Sequence, residues 1–98
     1  MYQEISVETF KRMSQEENAV VLDVRTPGEV DEFALDYDVQ VDFFNRDELL
    51  QTLGNLDKAK AYLVYCHSGQ RSASTCCLMA DMGFEKLYNL KGGIAAWD

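Results

Sequence analysis

The stretch Ala61-Tyr62-Leu63-Val64-Tyr65-Cys66-His67-Ser68-Gly69-Gln70-Arg71-Ser72 decides how the rest of the chain is read. Its first five residues form a continuous apolar run, the signature of a strand buried on both faces. Cys66 ends that strand, a short loop containing Gly69 follows, and helical periodicity takes over from about Arg71 to Met82. A sulfur at a strand-to-helix junction faces loop N–H groups and the positive end of a helix dipole. Such surroundings stabilise a thiolate and make it a nucleophile. Covalent chemistry on Cys66 is the leading expectation.

Outward from this loop the pattern alternates. Ser6 caps a short helix through Met13, with Val7, Phe10 and Met13 on one face. Ala19 to Val24 reads as a second buried strand. Thr26-Pro27-Gly28-Glu29 is a capping box with proline in the first turn, opening a helix through Phe33. Val39 to Phe43 alternates as a strand. Asn45 to Glu48 forms a second capping box before a helix carrying Leu49, Leu50 and Leu53 that stops near Gly54. Gly83 sits where a left-handed helix end belongs, Leu87 to Leu90 is a short last strand, and Gly92-Gly93 leads into a final turn at Trp97. Strands alternating with helices predict an α/β fold with a parallel sheet covered on both faces. Ligands in such sheets bind beyond the carboxyl ends of the strands, where Cys66 lies.

Size and composition bound the function. The 98 residues suit one domain, 1–98, with 47% hydrophobic residues for its core. No apolar run approaches the roughly 20 residues that span a bilayer, and Met1 to Ile5 lack a signal-peptide layout. The expected location is cytoplasmic, with no membrane partner. Three cysteines, two of them adjacent at Cys76 and Cys77, fit a reducing compartment with one working thiol better than a disulfide framework. No cysteine pair has ligand spacing and the single histidine completes no zinc site, so no metal and no cofactor are expected. A net charge of -8 argues against nucleic acid as a partner and disfavours anionic small molecules outside a local positive pocket. It allows a basic protein partner.

Four blocks in order resemble the single-domain rhodaneses, a sulfurtransferase family. They are Leu22-Asp23-Val24-Arg25 with Glu29, the loop Cys66 to Ser72 against the family's Cys-x-x-Gly-x-Arg-Ser, Gly83-Phe84, and Leu90-Lys91-Gly92-Gly93-Ile94-Ala95-Ala96-Trp97. One block departs: where members carry Gly-His-Ile-x-Gly-Ala, this chain has Phe33-Ala34-Leu35-Asp36-Tyr37-Asp38, with Leu35 in place of the isoleucine. The resemblance implies a three-layer α/β/α domain with a central, mostly parallel five-stranded sheet. It also implies a sulfurtransferase that moves a sulfane sulfur through a Cys66 persulfide. The donor would be a thiosulfate-like anion or a protein persulfide, and the acceptor cyanide or a thiol.

For that chemistry the loop N–H groups from His67 to Ser72, Gln70 among them, would form an anion-binding nest, with Gly69 allowing the backbone angle it needs. Arg71 would add a fixed positive charge beside the sulfur. Ser68 and Ser72 would offer hydroxyls, and His67 would touch a donor at the rim. Asp23 and Arg25 read as a strand-end ion pair supporting the loop. Cys76 and Cys77 read as part of a small-residue helix face packed on the sheet, and Glu16, Glu17, Asp31, Glu32, Asp36 and Asp38 as solvated surface. Two other functions stay open: an interaction or regulatory module with little turnover, and a cysteine phosphatase or arsenate reductase. Those enzymes use a Cys-x5-Arg loop, whereas Cys66 to Arg71 is one residue shorter and suits a compact persulfide better.

Overall fold

The computed structural model of the chain describes residues 1–97. The elements run β1 (Gln3–Ile5), α1 (Val7–Met13), β2 (Ala19–Asp23), α2 (Pro27–Glu32), β3 (Val39–Gln40), α3 (Arg46–Gly54), β4 (Ala61–Tyr65), α4 (Gln70–Asp81) and β5 (Lys86–Leu90), followed by a 3-10 turn at Gly93–Ala96. The strands form one sheet in the order β1-β5-β4-β2-β3, and every pairing is parallel. Parallel neighbours demand crossovers, which the helices supply on both faces.

Alternation along β4 separates the two layers of core. Leu63 and Tyr65 join Ile5, Phe10, Val21, Leu90 and Ile94 beneath α1 and the 3-10 turn. Tyr62 and Val64 join Leu22, Leu49, Leu53, Cys76 and Met79 beneath α3 and α4. All five β4 residues are buried, which is why the strand reads as an unbroken apolar run. The helix starts follow local chemistry. Ser6 Oγ accepts from Thr9 N, and Thr26 and Glu29 form a complete capping box.

The structure differs from the sequence expectation at several points. β1 is an additional edge strand with a single buried residue, Ile5, so it has no apolar run to announce it. Regular pairing in β3 stops at Gln40, although Val41 N and Phe43 N still donate to Asp23 O and Val24 O. At α3 the second capping box is half formed: Asn45 Oδ1 accepts from Glu48 N, while the Glu48 carboxylate meets the Asn45 side chain. Cys76 is buried but Cys77 is exposed, one residue around the helix, so only the first packs against the sheet. Asp38 is not idle surface, because its Oδ2 accepts from Val21 N at 2.8 Å and its own N–H donates to Val21 O.

A buried polar knot ties the carboxyl ends of β2 and β4 together. Asp23 and Arg25 form an ion pair at 2.9 Å with side chains 0% and 4% exposed. The Tyr65 hydroxyl donates to Asp23 Oδ2 and accepts from Leu35 N at 3.1 Å. Burial, with the Asp23 carboxylate next in effect, raises the Tyr65 hydroxyl far above its usual value, so it stays a neutral donor. Arg25 Nη2 also donates to Phe33 O at 2.8 Å. The altered segment 33–38 is thus held by the knot from behind, with Leu35 buried. Tyr65→Phe would leave Asp23 short of a donor and Leu35 N without an acceptor. We expect a loss of about 1–3 kcal/mol in a denaturant titration, with the m-value unchanged.

Candidate active site

Cys66 follows β4 directly and is fully buried. Its Sγ accepts from Gly69 N at 3.1 Å, Ser72 N at 3.4 Å and Ser72 Oγ at 3.3 Å. Gly69 is the residue before α4 and has no side chain to cap the helix, and Ser72 is the third residue of that helix. The sulfur therefore occupies the place of a capping oxygen, satisfying N–H groups that the helix start leaves over. Gly69 reaches this arrangement with a φ of 101°, in the left-handed region.

A second segment clamps the loop from outside. Ile94 N donates to Cys66 O at 2.9 Å and Ala95 N to His67 O at 3.0 Å. With these carbonyls drawn toward the 3-10 turn, the loop presents N–H groups to the sulfur. Gly93 makes the close approach possible: its φ is 65°, and a Cβ there would stand 2.7 Å from Cys66 O and nearer still to His67 O. Asn89, buried on β5, holds the loop from beneath through Nδ2, which donates to Gly69 O at 3.1 Å and to Glu4 Oε2 at 3.0 Å.

Arg71 does not contact the sulfur. Its Nη1 and Nη2 each donate to the Glu29 carboxylate at 2.8 Å, a two-pronged pair spanning 42 residues of sequence. The guanidinium also lies 5.5 Å from the Phe44 ring centre. Bonding to Arg71 holds the Glu29 carboxyl at about 2, well below its usual 4.5, with burial opposing. Ser72 touches the sulfur, His67 and Ser68 are exposed at the surface of the loop, and Gln70 starts α4 exposed. Asp23 and Arg25 pair with each other, and Arg25 lines the mouth of the site. Burial pushes the Cys76 thiol up to about 12, which keeps it protonated and inert.

The mouth is a cavity of about 280 Å³ walled by Arg25, Glu29, Glu32, Phe33, His67, Ile94 and Ala95. A larger cavity of about 670 Å³ lies between α1 and segment 33–38. None of the loop residues Cys66 to Ser72 walls it, whereas His67, next to Cys66 in the chain, walls the smaller one, which is therefore the candidate reaction site.

A family model described as the rhodanese-like domain matches residues 6–98. The chain belongs to the rhodanese family. A sulfurtransferase of Allochromatium vinosum is 29% identical over 99% of this chain and 89% of its own length. A Bacillus subtilis protein, YtwF, provisionally named a sulfurtransferase, is 34% identical over 97% of this chain and 89% of its own. The crystal structure of a rhodanese-related protein from Thermoplasma volcanium superposes with a TM-score of 0.82 at 26% identity, covering 98% of this chain and 90% of that one. Family and relatives support sulfur transfer as the general class of activity.

Glu29 and Asn89 were not among the site residues expected from sequence. The capping box at Thr26 located Glu29, and its second role could be read only from the partner it meets. Asn89, a polar residue inside an apolar strand, is the kind of signal that marks a buried hydrogen bond.

Two substitutions probe this rhodanese site. Gly93→Ala forces a left-handed alanine and drives its Cβ into the loop carbonyls. We expect about 2–4 kcal/mol of destabilisation by thermal melting, together with faster alkylation of Cys66, which is fully buried in the intact loop. For Glu29, a depressed carboxyl contributes stability above its unfolded value and loses it as pH falls through the folded one. The contribution should be full above pH 4.5 and vanish toward about 2. Partial solvent exposure limits it to about 1–2 kcal/mol. Glu29→Gln, which can keep the helix cap, should therefore unfold with a shallower acid dependence in that window.

Proposed function

We propose that the protein transfers a sulfane sulfur through a persulfide on Cys66, in the cytoplasm. The observation that carries this reading is the triad of donors on one buried sulfur. Gly69 N, Ser72 N and Ser72 Oγ all point at Sγ, at the positive end of a twelve-residue helix. That field favours a negative sulfur before the transfer and a negative persulfide after it.

The reaction is balanced without a redox partner. The Cys66 thiolate attacks the outer sulfur of a donor, the Sγ–S bond forms, and the donor's bond to that sulfur breaks. The electron pair departs on the donor's remaining group, which is sulfite for a thiosulfate donor and a thiol sulfur for a persulfide donor. The acceptor, cyanide or a thiol, then takes the outer sulfur and returns Cys66 as thiolate. Cys66 is covered in this conformation, so transfer begins with a local opening at the His67 side of the mouth. The turning of Arg71 toward Glu29 weighs against phosphoryl transfer, in which a loop arginine must face the oxyanion.

Intact-mass analysis after incubation with a persulfide donor tests the reading. We expect a gain of one sulfur atom that cyanide or a thiol removes and that Cys66→Ser abolishes. A protein that gains no sulfur from thiosulfate, small persulfides or peptide persulfides would sink it.

A further inference from the structure

Resting on that reading of Cys66, the charge and shape of the mouth narrow the donor. Its two arginine neighbours are already committed, Arg25 to Asp23 and Arg71 to Glu29, and these are the ion pairs found among the described residues. Glu32, in the same wall, is exposed and joins neither pair. A small dianion approaching Cys66 would meet two neutralised guanidiniums, a bare carboxylate and a chain of net charge -8. That is a poor electrostatic match.

The mouth also carries apolar surface. Phe33 is 58% exposed on its wall, and Phe44, beside Arg71, is 68% exposed. Arg25 grips the Phe33 carbonyl, and Phe44 N donates to Asp42 Oδ1 at 2.9 Å, so both rings stand on fixed backbone. Two large exposed aromatic side chains, one in the mouth wall and one against the arginine of the active-site loop, suit a macromolecular surface, whereas a few-atom anion has nothing to cover them with.

We propose that Phe33, Phe44 and Glu32 form a docking rim for a basic protein that delivers sulfur as a cysteine persulfide. Lysine or arginine side chains around the donor cysteine meet the acidic wall, and apolar stems or side chains cover the two rings. The persulfide enters between them. Cys66 Sγ bonds to its outer sulfur, the donor's S–S bond breaks, and the donor cysteine leaves as a thiol carrying the persulfide proton. One negative charge stays with Cys66 throughout.

The test compares rates of Cys66 persulfidation, read by intact mass, for two short synthetic peptides. Each carries one cysteine persulfide, flanked by lysines in one and by glutamates in the other, with glutathione persulfide and thiosulfate as small donors. We expect the lysine peptide to react about tenfold faster than the glutamate peptide at low salt, the advantage shrinking as salt rises. Glu32→Lys should bring the ratio of the two peptides toward one. Phe33→Ala with Phe44→Ala should lower the rate with the lysine peptide relative to that with glutathione persulfide. Because each readout is a ratio within one variant, a general loss of folded protein does not imitate it. Equal rates for the two peptides, or thiosulfate outpacing the lysine peptide, would overturn the docking rim while leaving sulfur transfer intact. Labelling by no donor would overturn the reading of Cys66 itself.

Discussion

The sulfur of Cys66 stands in for a helix cap, and much of the surrounding structure exists to keep it there. A helix start leaves several N–H groups without partners. Here Gly69 N and Ser72 N meet a sulfur in place of an oxygen. A thiol is a weak acceptor and a thiolate a strong one, so the same geometry that leaves the helix modestly capped at rest gains when the sulfur is charged. Local stability and reactivity are set by one set of bonds.

That arrangement needs carbonyls kept away from the sulfur, which the loop cannot do alone. The 3-10 turn takes Cys66 O and His67 O, and Asn89 takes Gly69 O. Each bond joins the loop to a segment some 20 or more residues further on. Packing the last strand and turn is therefore part of building the site. On the other side, the knot of Asp23, Arg25 and Tyr65 fixes the ends of β2 and β4, so the loop springs from a rigid floor. A buried ion pair adds little net stability, yet losing one member leaves an uncompensated charge. Its position suggests that its worth lies in fixing the floor.

Segments whose structure follows from adjacent residues were legible in the sequence. β4 is buried on both faces and reads as an apolar run, and Thr26 with Glu29 states a helix start in four residues. The nucleophile and its loop were legible for the same reason, since strand end, glycine and helix start are consecutive. β1 was not, because three residues on a sheet edge with one buried side chain give no period to detect. The direction of Arg71 was not either. Arg71 can reach the sulfur or Glu29, and the choice depends on where α2 lies in three dimensions. Cys77 was misplaced by one helical step, the difference between the sheet side and water.

The Glu29–Arg71 pair then couples two aims that pull apart. A free arginine beside a thiolate would favour small anionic donors and hold the product anion. Tied to Glu29, it keeps the helix start and the Phe44 ring in place while leaving little net charge at the mouth. Stabilisation of the sulfur then falls to fixed N–H dipoles close to it, which act at short range and do not attract distant anions. What remains visible from solution includes the exposed carboxylate of Glu32, the His67 ring and two phenyl rings. The centre thus stabilises negative charge on its own sulfur while its rim attracts positive charge. A donor that carries its reactive sulfur on a basic surface satisfies both.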